Sequence, residues 1–250
     1  MMATRVFERT VSQEVIEAFR QVCVPCISDV VHGLRLNCVF QGLKPLLREW
    51  KICGPALTIR LIPQQDRENW YKEEQHPGSL TNIAKPGDVI VIDQGGCLDY
   101  TIWGGNTATH AKVAGLGGVV IDGACRDSSQ IIAAGCPTFA RSTNSLHGHG
   151  IFRSTCYNSE PVQIGTISVA PGDLVIGDAD AIVVIPAARA AEILPLAQEL
   201  HAMDEAGNKR IAAGDSAPPL DPQTKARNHA RKYELKGLVR PPEGFIRYGA

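Results

Sequence analysis

Apolar residues first fall at helical spacing over residues 11–22, where Val11, Val15, Ile16, Phe19 and Val22 share a face and Ser12 stands in the capping position. The pattern predicts an amphipathic helix, with a second short helix entered at 27–31. Gly54-Pro55 then reads as a turn into a strand ending near Leu61, and the polar stretch 64–78 as a loop with one helical turn. From Pro86 the alternation becomes regular. Pro86-Gly87-Asp88 opens a strand over 89–93, a helix is expected over 106–114, and 117–122 forms the next strand. That is a βαβ unit, whose strands must be parallel and whose crossover must be right-handed. A helix over 128–134 stops at Gly135, and a strand follows at 137–141. A second Pro-Gly-Asp, at 171–173, precedes strands at 174–178 and 181–186. It reads as the same turn-to-strand device used twice, since the flanking sequences do not match. A long helix over 187–206 places Ile193, Leu194, Ala197 and Leu200 on one face. After Gly214 prolines and charges replace the periodicity. The expected organisation is one α/β domain over 1–214, followed by a proline-rich extension over 215–250 that packs irregularly or reaches a neighbouring subunit.

A chain of 250 residues, 44% hydrophobic and 20% charged, can bury a substantial core. Its formal charge of -1, without a basic run carrying interleaved aromatics, argues against a nucleic-acid partner. The first ten residues lack the apolar core of a secretory signal, and no later stretch approaches the roughly 20 apolar residues of a membrane span. A soluble, cytoplasmic protein without a membrane partner is therefore expected. Eight cysteines in such a setting are expected as reduced thiols. Cys23-Val24-Pro25-Cys26 is a lone CxxC with no second pair and no histidine at zinc spacing, so no metal or redox role is assigned to it.

The chemistry concentrates in two glycine turns. Asp122-Gly123-Ala124-Cys125-Arg126-Asp127 delivers an arginine and an aspartate side by side where a strand ends, and Trp103-Gly104-Gly105-Asn106-Thr107 starts a helix upstream. A cation beside a carboxylate can hold a small anion together with a divalent metal. Unpaired N–H groups at a helix start bind anions, and glycine lets a ligand approach the backbone closely. The bland reading of Arg126-Asp127 is a surface ion pair with Asp127 capping the next helix. Capping is also the reading for Asp29, Asp93 and Asp178, packing for Trp103, and a solvated surface position for Lys112. His147-Gly148-His149 reads as a solvated loop, and as the source of a proton donor if the site needs one.

Taken in order, Ile27-Ser28-Asp29-Val30, Gly54-Pro55-Ala56-Leu57-Thr58, the two Pro-Gly-Asp strands, Trp103-Gly104-Gly105, and Gly118 to Gly123 with Arg126-Asp127 resemble the RraA-like superfamily over roughly residues 20–215. Its aldolases act on 4-hydroxy-4-methyl-2-oxoglutarate and 4-carboxy-4-hydroxy-2-oxoadipate. The resemblance implies a β/β/α swivelling-domain fold with a mixed, partly parallel sheet and flanking helices, assembled as a homotrimer or homohexamer with sites between subunits. It implies a Mg²⁺- or Mn²⁺-dependent carbon–carbon lyase that cleaves a small 2-oxo-4-hydroxy acid to pyruvate through an enolate. The alternatives it carries are an oxaloacetate-type decarboxylase or other lyase or hydratase, and a non-enzymatic regulator that binds a ribonuclease. By match to the motif, Asp127 is the metal ligand and Arg126 binds the substrate carboxylate or 2-oxo group. Gly104 and Gly105 form the substrate turn, and the backbone amides of Asn106 and Thr107 meet the carboxylate. Two positions depart from the family, which typically has acidic residues where this chain has Gly105 and Gln130. A ligand from the neighbouring subunit, Glu205, is the candidate replacement.

Overall fold

The computed structural model describes residues 9–40, 42–64, 76–214 and 230–237. The chain opens on α1 (Gln13–Arg20), where Ser12 Oγ accepts the Val15 N–H at 3.3 Å as the sequence predicts. Helix α2 (Val24–Gly33) starts earlier than the apolar spacing indicates. Pro25 lies in its first turn, where a missing N–H forfeits no helical bond. Two short strands follow, β1 (Val39–Phe40) and β2 (Lys44–Pro45).

Four strands form the parallel centre of the sheet: β3 (Ile52–Pro63), β4 (Val89–Thr101), β5 (Gly118–Cys125) and β6 (Thr138–Thr143). Helix α3 (Gly105–Val113) makes the β4-to-β5 crossover and α4 (Ser128–Ala134) the next, ending at Gly135 in the left-handed region. The remaining strands are β7 (Phe152–Tyr157), β8 (Val162–Ile164), β9 (Ile167–Val169), β10 (Leu174–Gly177) and β11 (Ile182–Ile185). The main sheet runs β1-β11-β10-β3-β4-β5-β6-β2, with β7 also on β3, and β8-β9 form a separate hairpin. Pairing is antiparallel at β10 and β7 and parallel from β3 to β6, so the sheet is mixed, as expected.

The two Pro-Gly-Asp turns are one device in three dimensions. Gly87 and Gly172 take φ of 88° and 87°, and the carboxylates of Asp88 and Asp173 accept the N–H groups of Lys85 (2.8 Å) and Ala170 (2.9 Å). Strand alternation then divides the interior. Ile90 and Ile92 face Ala108, Ala111 and Ile131 of the crossover helices, while Val89 and Val91 face Val162 and Val169 of the hairpin. A third apolar cluster joins α1, α2 and α5 (Ala190–Ala212) to β10 and β11 through Phe19, Ile27, Val30, Val183 and Ile193.

Several expectations change. Strand β4 does not end at Asp93 but runs to Thr101, through one register shift that spans Gly95 and Gly96 (φ 62° and 73°) and another between Cys97 and Thr101. The strands over 152–169 carry no signal strong enough to predict them, being short and, in β7, only half buried. The long helix begins after a 3₁₀ turn (Ala187–Arg189) and runs beyond residue 206. Cys23 and Cys26 form a disulfide rather than two thiols, because the first turn of α2 sets them side by side. The loop expected over 64–78 lies largely outside the described residues, and so does most of 215–250. Within the extension, residues 230–235 are helical and pack on the same chain: Leu235 is buried in the α1/α2/α5 cluster, Arg231 pairs with Glu199 at 2.8 Å, and Lys232 and Lys236 pair with Asp204 and Asp29. Among the described residues, no helix is long and apolar enough to cross a membrane.

Candidate active site

The loops that follow β4 and β5 meet at the carboxyl edge of the parallel sheet, where ligands of open α/β sheets are commonly held. The Arg126 N–H donates to the Trp103 carbonyl at 2.9 Å, which ties the two loops together. A cavity of about 510 Å³ opens there. Gly104, Gly105, Asn106, Thr107, Arg126 and Asp127 all line it, so the structure brings together every site residue that the motif names within one chain.

Asp127 is the N-cap residue of α4, yet its side chain makes no cap hydrogen bond. Its backbone adopts φ 54° and ψ 39°, a left-handed conformation that aspartate tolerates better than most residues. The carbonyl still accepts from Gln130 (2.9 Å) and Ile131 (3.0 Å), while the carboxylate turns back toward the cavity. There Oδ2 accepts the Gly105 N–H and the Arg126 Nε–H, both at 3.3 Å. Arg126 and Asp127 remain about one-third exposed, at 38% and 32% of their side-chain surface. The expected ion pair is thus present and partly exposed, and it lies in the cavity, open to a ligand. The helix-capping alternative for Asp127 is contradicted by this orientation.

Helix α3 starts at the same point with glycine as its cap, so Asp127 takes the Gly105 amide and no cap side chain covers those of Asn106 and Thr107. A side chain at either position would force its neighbours to shift. A Cβ on Gly104 would stand 2.7 Å from Asp127 Oδ2, and one on Gly105 would stand 2.3 Å from Gln130 Oε1 and 2.7 Å from its Cβ. The two departures from the family pattern therefore touch: Gln130 fills the space that a side chain at 105 would need. Asp127 is the one carboxylate among the described residues lining the cavity.

The third wall is imidazole. His147 and His149 reach the cavity because Thr101, at the end of β4, pins their loop by donating its N–H and Oγ1–H to the Leu146 carbonyl and accepting the Gly148 N–H. His149 stacks on His76 with ring centroids 5.4 Å apart, and His147 lies 5.9 Å from His149. No sequence signal singles out His76, since His-Pro-Gly reads only as a turn. It caps a 3₁₀ turn (Pro77–Asn82), its Nδ1 accepting the Gly78 N–H at 3.0 Å. Burial, with the His149 ring adding to it, pushes the His76 imidazole down from 6.5 to about 4. His149 is also lowered, by burial first and then by His147 and the Arg126 guanidinium. Both rings are neutral at neutral pH.

Other candidates lie elsewhere. Glu205 is exposed on α5, where it faces His201 and Lys209 of its own helix at 3.7 and 3.8 Å, and it does not line the cavity of its own chain. Lys112 is exposed on α3, as expected. Trp103 is 1% exposed, and its buried Nε1 has no partner among the described residues. Asp93 and Asp178 accept backbone N–H groups, Asp29 pairs with Lys236, and buried Asp122 is held by Arg141.

Known proteins resemble this sequence and share this fold. A protein from Halalkalibacterium halodurans that bears the name "Putative 4-hydroxy-4-methyl-2-oxoglutarate aldolase" is 34% identical over 199 residues, covering 79% of this chain and 88% of its own. The crystal structure of Streptomyces coelicolor RraAS2, described as an unusual member of the RNase ES inhibitor RraA protein family, superposes with a TM-score of 0.72 at 25% identity, covering 81% of this chain and 98% of that one. An uncharacterized protein from Pseudomonas syringae pv. tomato shares the fold with a TM-score of 0.72 at 24% identity, over 82% of this chain and 94% of its own. The RraA-like family profile (Aldolase/RraA) matches residues 24–184, which span β3 to β6 and both cavity loops, and on that match the chain belongs to the RraA-like family.

Proposed function

We propose that this chain is a metal-assisted carbon–carbon lyase that cleaves a small 2-oxo-4-hydroxy dicarboxylic or tricarboxylic acid to pyruvate through an enolate. The observation that carries the reading is Asp127, whose carboxylate leaves its helix-capping position to stand beside Arg126 and the start of α3 in the cavity. The aldolase name of the relative from H. halodurans supports the same class.

The residues present fit a hard divalent cation. Mg²⁺ accepts one or two carboxylates and keeps several waters, so Asp127 with the neutral Gln130 oxygen nearby is an adequate, weak donor set in an open cavity. Bound there, Mg²⁺ or Mn²⁺ polarises the 2-oxo group and offsets negative charge that develops on its oxygen. The chain's own groups do the rest. Arg126 offers its guanidinium fork to the substrate carboxylate, and the uncapped amides of Asn106 and Thr107 add donors with the positive end of the helix. Neutral His149 takes the proton from the 4-hydroxyl; as C4 becomes a carbonyl, the C3–C4 bond electrons pass to the C2 oxygen. The imidazolium then returns that proton to C3, which becomes the methyl group of pyruvate. The cavity lining holds no lysine among the described residues, which leaves a Schiff-base route without its amine. We place this chemistry in a homotrimer or homohexamer, where Glu205 of a neighbouring copy is the residue to test as a further ligand.

The test is pyruvate release from 4-hydroxy-4-methyl-2-oxoglutarate and, separately, from oxaloacetate, with and without added Mg²⁺ or Mn²⁺. Turnover that needs the metal and disappears in Asp127→Asn is the expected result. Turnover of oxaloacetate alone would narrow the activity to decarboxylation. No turnover of either acid by folded protein would overturn the lyase and favour a binding role, the kind of role that the inhibitor family of S. coelicolor RraAS2 carries in its name.

A further inference from the structure

At a different place in the fold, α2 and α5 bring three metal-ligating side chains together. Cys23 is the N-cap residue of α2, Cys26 lies in its first turn, and His201 projects from the middle of α5. One ligand atom from each lies within 4.8 Å of the other two, the one such group among the described residues. The sequence around the CxxC has no histidine at zinc spacing; packing of a distant helix supplies one.

We infer that the dithiol form of this pair, together with His201, is a binding site for one zinc-class divalent cation. Thiolates and imidazole are the donors that zinc selects, and three protein ligands leave a fourth position to complete a tetrahedron. Asp204 is in reach of that position, with Oδ2 3.7 Å from Cys26 Sγ and its other oxygen paired with Lys232. Glu205 Oε1 is 3.7 Å from His201 Nε2, where a carboxylate orients a ligating imidazole. Cys26 is 2% exposed, whereas Cys23 and His201 are only partly buried, so an ion can enter yet be largely shielded once bound.

The disulfide is the oxidised form of the same chelate. Opening it takes two electrons and two protons from a dithiol reductant, which itself becomes a disulfide; each thiol then gives its proton to solvent as the cation binds. His201 supplies the third ligand that a dithiol by itself lacks. Binding would fasten α2 to α5, the helices that cover one side of the sheet.

The full chain, reduced with a phosphine, stripped with a chelator and exchanged into chelator-free buffer, is titrated with Co²⁺. Expected are one equivalent bound, ligand-field bands of a tetrahedral ion, thiolate-to-metal charge transfer, displacement by Zn²⁺, and a higher melting temperature with Zn²⁺. Cys23→Ser and His201→Ala, each checked for native circular dichroism, should weaken Co²⁺ binding at least about 10-fold. Asp127→Asn should leave the charge-transfer band unchanged, which separates this ion from any in the cavity. Three results would each overturn the site: no charge transfer in the reduced wild type, wild-type Co²⁺ affinity in His201→Ala, or loss of the band in Asp127→Asn.

Discussion

The backbone of Asp127 decides what its side chain can do. At φ 54° it directs the carboxylate to the Gly105 amide and Arg126 instead of along the axis of α4. Asparagine tolerates this conformation and alanine does not, so the two substitutions should separate charge from strain. Asp127→Asn should abolish metal-dependent turnover with a nearly unchanged melting temperature, whereas Asp127→Ala should also lose about 1 kcal/mol of stability, measured by urea unfolding. Arg126→Lys keeps the charge but not the planar fork, and kcat/KM should fall by about 10²-fold or more with little change in unfolding. Gly105 and Gln130 share one space. Gly105→Ala should cost about 1–3 kcal/mol through overpacking, and Gln130→Ala in the same chain should recover part of that loss, since Oε1 and Cδ account for two of the three close contacts. That residue-level coupling was not legible in the sequence. Gly105 and Gln130 each stand out there as a missing acid, and only the crossing of α3 and α4 shows one filling the place of the other.

The elements that follow strong local rules match their sequence signals. Ser12 caps α1, Gly135 ends α4 and the paired Pro-Gly-Asp turns open β4 and β10, because caps and positive-φ turns depend on neighbours a few residues away. Elements whose stability comes from distant partners were not legible: β7 exists by pairing with β3, and the two short strands β8 and β9 by pairing with each other and covering β4. The histidine wall belongs to this second group, since Thr101 draws 147–149 to the end of β4 and the 3₁₀ turn after His76 brings the third ring. It also carries a pH signature. The His76 imidazole binds a proton near 6.5 when unfolded and only near 4 in the fold, so between those values the unfolded chain holds more protons. Stability from this group is complete above pH 6.5 and is lost as pH falls toward 4. His76→Asn keeps an acceptor for the Gly78 N–H but removes the titration, and its melting temperature should decline less than that of the wild type across the window.

For the whole molecule, the described part of the extension completes a layer. Leu235 fills the cluster that joins α1, α2 and α5, while Arg231, Lys232 and Lys236 pair with Glu199, Asp204 and Asp29. Leu235→Ala should therefore lower stability by about 2 kcal/mol in a denaturant titration, the low end for a buried leucine because the site is at the rim. Local pattern alone carried the parallel β4–β5 pair, the crossover helices and the place of Arg126-Asp127 at a strand end, because periodicity and glycine turns act over a few residues. Only the tertiary structure decided which groups meet: three imidazoles with the Arg-Asp pair, Gln130 with Gly105, and His201 with Cys23 and Cys26. Contact between residues far apart in the chain follows from how helices and strands pack, and no local pattern encodes that distance.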